Sequence, residues 1–289
     1  MEKIKLITDA ASDLSLEDEA HYGIRVIPFS VVLGEETYVP RRDIDNDAFY
    51  ALMLQHEDLP KTAQVTPNEF VDIYTQEAQA GNTCLILVLI NSEGSATYSN
   101  AVMAVDMFFD EHPEYRGAVT IHPIDGRGYS GLYGRPVLDA AEMIEAGRSS
   151  EEIVDYLKNL LPRRQIYFGI YSLKWAGKSG RIPSAAAFIG DKLNLKPIMK
   201  IFGRQITTAA KVRGEGRLLE RLCDMAIADM EPGSPYDLIY GSDPAVLEEL
   251  ERLMTAKLGY APVGRWQISA VIAANAGPKV SGVSFTRKA

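Results

Sequence analysis

Two segments of the sequence place hydroxyl side chains next to predicted helix starts. They are Thr62–Pro67 (TAQVTP) and Asn91–Tyr98 (NSEGSATY). The first turn of a helix offers unpaired backbone N–H groups and the positive end of the helix dipole. With added Ser or Thr hydroxyls, such a turn can bind a carboxylate or a phosphate. Simple capping of the two helices by the same hydroxyls is the alternative interpretation.

A glycine-rich turn follows the strand predicted at residues 118–124. Its sequence, Gly126–Gly131 (GRGYSG), matches the G-x-G-x-x-G pattern of dinucleotide-binding proteins. That fingerprint also requires an acidic residue at the end of the next strand, where it binds the ribose. The next predicted strand ends in Tyr171–Lys174 (YSLK), which has no acid. The pattern therefore favours a tight strand-to-helix turn.

Two further segments carry polar side chains outside predicted helices. Leu173–Ile182 (LKWAGKSGRI) contains Gly-Lys-Ser, but a phosphate-binding loop would require glycine where the chain has Ser172. Arg181 remains a candidate to pair with an acid or a bound carboxylate through its planar guanidinium. Asn275–Gly282 is predicted as a turn between two strands, in which Asn275 either contacts a ligand or braces the turn.

The sequence offers little chemistry for catalysis. No serine lies in a G-x-S-x-G elbow with a plausible histidine partner, and no carboxylate pair indicates an acid/base dyad. None of the four histidines has a His, Cys or acidic neighbour at a zinc-ligand spacing. We therefore predict a non-catalytic protein with no metal site and no cofactor.

Composition limits the possible partners and compartment. The chain has 289 residues and a net charge of −9, which argues against nucleic-acid binding because phosphate contacts need a basic face. The start of the chain has no signal-peptide pattern, and the longest apolar run, Cys84–Ile90, is far too short to span a bilayer. Cys84 begins an apolar strand and Cys223 lies in a helical pattern, so both are predicted to be buried thiols. These features predict a cytoplasmic protein.

Apolar runs alternate with helical patterns, which predicts an α/β fold with a largely parallel sheet covered by helices. Thr66 and Ser149 each begin a capping-box pattern, and Gly203-Arg204 has the signature of a two-residue hairpin turn. A helix is predicted at Ser184–Leu193 and a strand at Trp266–Ala274. The lobe boundary is placed near Pro162, giving an N-terminal lobe of residues 1–162 and a mixed α/β lobe of residues 163–289.

The order and spacing of several motifs resemble the DegV family over nearly the whole chain. The opening ITDAASDL is similar to the family's I-T-D-S-x-x-D-L, and TAQVT lies where the family has T-S-Q-P-S. SEGSATY resembles S-x-L-S-G-T-Y, and the segment from Asp125 to Gly134 resembles D-S-x-x-x-S-x-G-x-G. Leu173–Ile182 and Gly277-Pro278 resemble the L-x-x-L-x-K-G-G-R-I and H-x-G-P-G segments.

This resemblance implies a two-lobed α/β fold with a long-chain fatty acid buried between the lobes. It also implies an acyl carrier that presents the fatty acid carboxyl group to a separate fatty acid kinase. By position, Thr62 and Ser95 would bind the carboxylate, assisted by the N–H of Ala96 and by Asn275. The supporting residues would be Arg181, Ser92 and Asp125, with Arg181 bracing the site or meeting the kinase.

The chain departs from the family pattern at several of these positions. Ala63 and Val65 replace a Ser and a Pro, Ala96 and Lys279 replace glycines, and Asn275 replaces the closing His. Fatty acid binding is therefore the primary prediction and the kinase step the secondary one. Two alternatives stay open, a nucleotide-dependent enzyme that uses the Gly126–Gly131 turn and a regulatory protein without a ligand.

Overall fold

Two large β-sheets and one small sheet form the framework of the protein. The computed structural model describes residues 2–182 and 195–288. The described strands, in chain order, are β1 (Ile4–Asp9), β2 (Arg25–Ile27), β3 (Val31–Leu33), β4 (Glu36–Tyr38), β5 (Lys61–Thr62), β6 (Cys84–Leu89), β7 (Thr120–Asp125), β8 (Arg164–Ile170), β9 (Leu195–Phe202), β10 (Gln205–Arg213), β11 (Tyr236–Tyr240), β12 (Gly264–Gln267) and β13 (Val280–Thr286).

The α-helices cover these sheets and connect their strands. In chain order they are α1 (Leu16–Tyr22), α2 (Asn46–Gln55), α3 (Pro67–Gln79), α4 (Thr97–Glu111), α5 (Gly131–Glu145), α6 (Ser150–Leu160), α7 (Leu173–Ala176), α8 (Gly216–Asp229), α9 (Pro244–Leu258) and α10 (Ala270–Ala276). The capping boxes predicted at Thr66 and Ser149 are both formed, at the starts of α3 and α6. The helix predicted at Ser184–Leu193 lies outside the described residues.

The first sheet is parallel, with strand order β2-β1-β6-β7. Its central strand β6 has the sequence CLILVL, and all six residues are buried. A continuous apolar run is expected here because both faces of a parallel sheet are covered. The predicted parallel sheet in the first half of the chain is therefore confirmed.

The second sheet is mixed, with strand order β10-β9-β8-β13-β11-β12. All its neighbours are antiparallel except β11 and β12. Gly203 and Arg204 join β9 to β10 with φ angles of 58° and 73°, which is the positive-φ geometry of a tight hairpin turn. The predicted hairpin is confirmed, as is the α/β fold class with one parallel and one mixed sheet.

The strand predicted at Trp266–Ala274 is wrong over most of its length. Strand β12 ends at Gln267, and residues 270–276 form helix α10. A short apolar run does not distinguish a buried strand from a buried helix. Four of the seven residues in α10 are alanines, which are the strongest helix formers, and they favour a helix for this segment.

The hydrophobic core is shared between the two halves of the chain. One continuous cluster joins Leu87 and Val137, from the first half, to Ile166, Ile239 and Val280 from the second. A smaller cluster, which includes Leu222 and Phe285, lies wholly in the second half. The first sheet ends before residue 126 and the second begins at Arg164, while the division into lobes at residue 162 stays a prediction.

Candidate functional site

A cavity of about 390 Å³ lies between the two large sheets. Its walls come from the loops after β6 and β7, from one face of the second sheet and from α10. Six side chains from the second sheet line it, and they are Ile166, Phe168, Ile201, Ile206, Ile239 and Val280. Eight of the described lining residues are isoleucines. The wall is therefore mainly apolar, and it lies at the carboxyl ends of the parallel strands, where α/β folds usually bind ligands.

Polar side chains from separate segments line the same cavity. Thr62, Ser95, Arg181 and Asn275, all predicted as site residues, are among its lining residues. The structure thus brings together groups that are up to 213 positions apart in the sequence (275 − 62). Ala96, Ser92 and Asp125 are not among the lining residues.

The hydroxyl of Ser95 lies just before helix α4. Its Oγ is 2.9 Å from the Thr97 Oγ1 and accepts a hydrogen bond from the Thr97 backbone N–H at 3.2 Å. Ala96, at the N-cap position, provides no side-chain hydrogen bond to the helix. The start of α4 therefore has a hydroxyl cluster beside it, and the Ser95 hydroxyl accepts one N–H group of its first turn.

Thr62 is positioned by a strand and not by a helix start. It lies in β5, opposite Val31 of β3, and three residues separate it from the N-cap Thr66. Thr62 therefore ends the strand of the predicted strand-to-helix transition, and the helix itself begins at Pro67. The two-residue strand β5 depends on pairing with a distant segment, which local sequence patterns do not reveal.

Asn275 lies in the last turn of helix α10, not in a turn between strands. Its Nδ2 donates to the Val271 carbonyl oxygen at 3.0 Å, within the same helix. This bond fixes the side-chain amide at the cavity wall. The prediction of a strand-to-strand turn at Asn275 is wrong, and the residue lines the cavity from within a helix.

Tyr129 is a cavity residue that the sequence did not indicate. Its hydroxyl lies against Gly94, where an added Cβ would approach it within 1.9 Å, and it is 3.5 Å from Asn91 Nδ2. Burial raises the pKa of Tyr129, while Arg181 acts in the opposite direction. Tyr129 therefore stays neutral near pH 7 and can donate a hydrogen bond at this end of the cavity.

Asp125 acts as a brace behind the cavity. Its carboxylate accepts hydrogen bonds from the Ser92 hydroxyl at 2.6 Å, the Arg127 backbone N–H at 2.8 Å and the Arg204 Nε at 2.6 Å. Asn91 Nδ2 also donates to the Arg204 carbonyl oxygen at 2.9 Å. These bonds tie the tip of the β9–β10 hairpin to the loops of the first sheet. The sequence indicated the hairpin but not the contact made by Arg204.

The glycine-rich turn at residues 126–131 packs against the protein itself. The backbone N–H groups of Gly126 and Ser130 donate to the Leu89 and Ala11 carbonyl oxygens, at 2.7 Å each. An added Cβ on Gly131 would lie 2.6 Å from the Trp266 ring. A phosphate-binding turn would instead direct its N–H groups toward a ligand. The geometry supports the packing interpretation of this turn.

Within residues 2–182 and 195–288, no cluster of His, Cys, Asp or Glu has the arrangement of a metal site. In the same part of the chain, no helix has the length and apolarity required to cross a membrane.

The two cysteines are buried free thiols, and burial raises the pKa of each. A raised pKa keeps both thiols protonated and unreactive near neutral pH.

Comparison with known proteins identifies the family. A family model described as an uncharacterised protein, DegV family, matches residues 3–288. The chain belongs to the DegV family. A DegV domain-containing protein of Caldanaerobacter subterraneus is 30% identical over 294 residues, with full coverage of both chains.

Solved DegV-type structures share the fold. A stearic acid-binding protein from Eubacterium ventriosum aligns with a TM-score of 0.87 and 24% identity, covering 100% of this chain and 99% of that one. A DegV family protein from Thermus thermophilus, described as binding fatty acid, aligns with a TM-score of 0.84 and 26% identity, covering 98% and 99%. The DegV fold expected from the motifs is thereby confirmed.

Proposed function

We propose that this DegV protein binds a long-chain fatty acid in the cavity between its sheets. The carboxylate would contact Thr62 and Ser95, with Asn275 and the N–H of Ala96 nearby, and the acyl chain would lie against the isoleucine-rich wall. The observation that carries the proposal is one cavity with an apolar wall and hydroxyl, amide and guanidinium groups from four separate segments. The fatty acid binding described for the Thermus thermophilus relative supports it.

The cavity matches the two parts of a fatty acid. A carboxylate that accepts hydrogen bonds from hydroxyls and a helix start stays ionised without being left as an unpaired buried charge. Each buried methylene group of the chain contributes about 0.8 kcal/mol. A long acyl chain would therefore supply most of the affinity, and the polar groups would set its direction.

Removing both hydroxyls tests the carboxylate site. A hydrogen bond to a charged group contributes about 1.5–3 kcal/mol, so the double variant Thr62→Val/Ser95→Ala should bind palmitate at least about 100-fold more weakly. Titration of delipidated protein by calorimetry, or displacement of a fluorescent fatty acid, measures this change. Thr75→Val is the matched control, because Thr75 Oγ1 is buried without a hydrogen-bond partner and lies outside the cavity lining.

The double variant tests the carboxylate site, whereas the wild-type protein tests fatty acid binding itself. Unchanged palmitate affinity in the double variant would contradict the assignment of Thr62 and Ser95. A wild-type protein that copurifies without lipid and does not bind added palmitate would contradict fatty acid binding itself. Native mass spectrometry of the freshly purified protein gives the first answer, since a buried acyl chain should remain bound through purification.

We further propose that the bound carboxyl group is presented to a separate ATP-dependent kinase. Arg181 lines the cavity and is also exposed, which supports a role in contacting both the ligand and such a partner. Loaded protein mixed with a fatty acid kinase subunit and ATP should yield acyl phosphate, trapped as the hydroxamate with hydroxylamine. No hydroxamate, with a kinase that phosphorylates fatty acid on its own carrier, would contradict this role.

A further inference from the structure

The turn that follows β1 contains two buried carboxyl groups. Asp9 is fully buried, Asp13 is 9% exposed, and the 3-10 turn Ala10–Ser12 lies between them. Neither side chain lines the fatty acid cavity. Buried carboxyl groups are costly unless they are hydrogen-bonded, so the partners of this pair define what the pair does.

Asp9 holds the loop that leads to Ser95. Its Oδ2 accepts the backbone N–H of Ile90 at 2.7 Å, and Ile90 lines the cavity at the start of that loop. Its Oδ1 accepts the Tyr133 hydroxyl at 2.7 Å and the Ala11 N–H at 3.0 Å. Every group bonded to Asp9 is a donor, so both of its oxygens act as acceptors.

Asp13 holds the start of helix α10 on the other side of the cavity. Its Oδ1 accepts the Ser269 backbone N–H at 2.8 Å, and α10 begins at the next residue. Val271, Ile272 and Asn275 of α10 line the cavity. The Asp13 backbone has a φ of 57°, a left-handed conformation that the contacts of the turn must sustain.

The second oxygen of Asp13 has a different environment from that of Asp9. Asp13 Oδ2 is buried and has no hydrogen-bond partner, and the same is true of Ser130 Oγ and Ser269 Oγ. Both hydroxyls belong to the immediate surroundings of the Asp13 carboxyl. Either hydroxyl can accept as well as donate a hydrogen bond, so a donor group such as an amide NH₂ could replace Asp13 Oδ2.

We propose that Asp9 and Asp13 are positioning residues for the fatty acid site. Asp9 fixes the loop Ile90–Ser95, Asp13 fixes helix α10, and the rigid turn between them sets the distance across the cavity. The affinity part of the test rests on the proposed fatty acid binding. The structural part, the order of the two wall segments, does not.

The two carboxyl groups should respond in opposite ways to the change from Asp to Asn. In Asp9→Asn the new NH₂ must face either the Ile90 N–H or the Ala11 N–H, and since neither backbone group can accept, a donor meets a donor. In Asp13→Asn the carbonyl oxygen can keep the Ser269 N–H, and the NH₂ can face the Ser130 and Ser269 hydroxyls. Asp13→Ala removes the hydrogen bond to the Ser269 N–H and leaves the Ser130 and Ser269 hydroxyls without a polar neighbour at this position.

The experiment compares Asp9→Asn, Asp13→Asn and Asp13→Ala by palmitate affinity and by amide hydrogen exchange at pH 8. Asp9→Asn should bind at least about 10-fold more weakly, with faster exchange in residues 90–95, because one charge-assisted hydrogen bond is lost. Asp13→Ala should show the same loss of affinity, with faster exchange in residues 269–276. Asp13→Asn should stay within about 3-fold of wild type, since its carbonyl oxygen keeps the Ser269 N–H and its NH₂ faces hydroxyls that can accept a hydrogen bond.

A control separates positioning from general destabilisation. Asp237 is also fully buried, but its partners are Arg164 and Trp266 and it does not line the cavity. Asp237→Asn should lower the melting temperature while the folded protein keeps wild-type affinity and wild-type exchange at both wall segments. Asp9→Asn with wild-type affinity and exchange, or Asp13→Asn as defective as Asp13→Ala, would overturn the proposal.

A pH profile of the wild-type protein tests Asp9 without any substitution. Burial raises the pKa of Asp9 to about 6 and that of Asp13 to about 7, against the hydrogen bonds each accepts. Other titratable or charged groups that interact with the pair are Tyr133, Tyr50 and Arg41.

Because the folded pKa of Asp9 is raised, its contribution to stability is largest at low pH and falls as the pH rises through 6. The order of residues 90–95 should instead increase as the pH rises through 6, because the ionised Asp9 carboxylate accepts the Ile90 N–H more strongly. Exchange protection of these residues, corrected for intrinsic rates, should fall as the pH is lowered through 6. If the exchange protection of residues 90–95 changed with pH in the same direction as global stability, the positioning role of Asp9 would be contradicted. If wild type binds no palmitate, fatty acid binding fails, and the exchange data alone decide the positioning claim.

Discussion

Replacing Arg164 with methionine is expected to lower the free energy of unfolding by about 3–5 kcal/mol. Arg164 is 4% exposed, and its Nη2 donates to Asp237 Oδ2 and Ser284 Oγ, both at 2.8 Å. Asp237 is fully buried, and burial raises its pKa against the opposing effect of Arg164. Without the guanidinium, the Asp237 carboxylate would remain as an uncompensated buried charge.

The effect reaches across the molecule because Arg164 also donates to the Gly131 carbonyl oxygen at 3.1 Å. That carbonyl belongs to the first turn of α5, whereas Arg164 begins β8 of the second sheet. The residue therefore stabilises the contact between the two halves as well as the sheet. Urea denaturation of the delipidated variant measures the loss.

The neighbouring arginine is the control. Arg163 is 51% exposed and pairs with Glu231 at 2.6 Å on the surface. Exposed pairs contribute about 0–1 kcal/mol, so Arg163→Met should change stability by no more than that. The double variant Arg164→Met/Asp237→Leu should recover part of the lost unfolding free energy, since it also removes the unpaired Asp237 carboxylate. Equal effects at positions 163 and 164 would contradict this account.

Replacing Gly126 with alanine is expected to cost about 1–3 kcal/mol through overpacking. The new Cβ would lie 2.6 Å from the Leu89 carbonyl oxygen and 2.8 Å from the Tyr133 ring. Neither can retreat easily, because Leu89 accepts the Gly126 N–H and the Tyr133 hydroxyl is bonded to Asp9. Thermal and urea unfolding measure the cost.

Gly216, at the start of α8, provides a matched glycine with open space around it. Gly216→Ala should be neutral or stabilising by about 0.4–1 kcal/mol, because it reduces the freedom of the unfolded chain. If Gly126→Ala were equally harmless, the turn would have room beside its backbone. The nucleotide-binding alternative for residues 126–131 would then regain support.

Features governed by neighbouring residues could be predicted from the sequence. The capping boxes at Thr66 and Ser149 need only residues three positions apart, and the Gly203-Arg204 turn needs only its two flanking strands. The convergence of Thr62 and Ser95 on one cavity was anticipated through the order of the family motifs. Spacing alone did not indicate it.

Features governed by distant contacts could not be predicted in this way. Strand β5 exists because Thr62 pairs with Val31, and Arg204 reaches Asp125 across 79 positions. Asn275 was assigned to a turn because its apolar neighbours resemble a strand as much as a helix. For β5 and for Arg204, tertiary contacts decide among local structures that the sequence leaves nearly equal.

The core shared by both halves bears on how the protein is made. While the ribosome is still adding residues beyond 163, Leu87 and Val137 lack the partners that Ile166, Ile239 and Val280 later provide. Domains generally fold as units during synthesis, but here the first half cannot finish burying its apolar surface until nearly the whole chain has emerged. A chain that stops early would therefore leave this apolar surface exposed to chaperones and proteases.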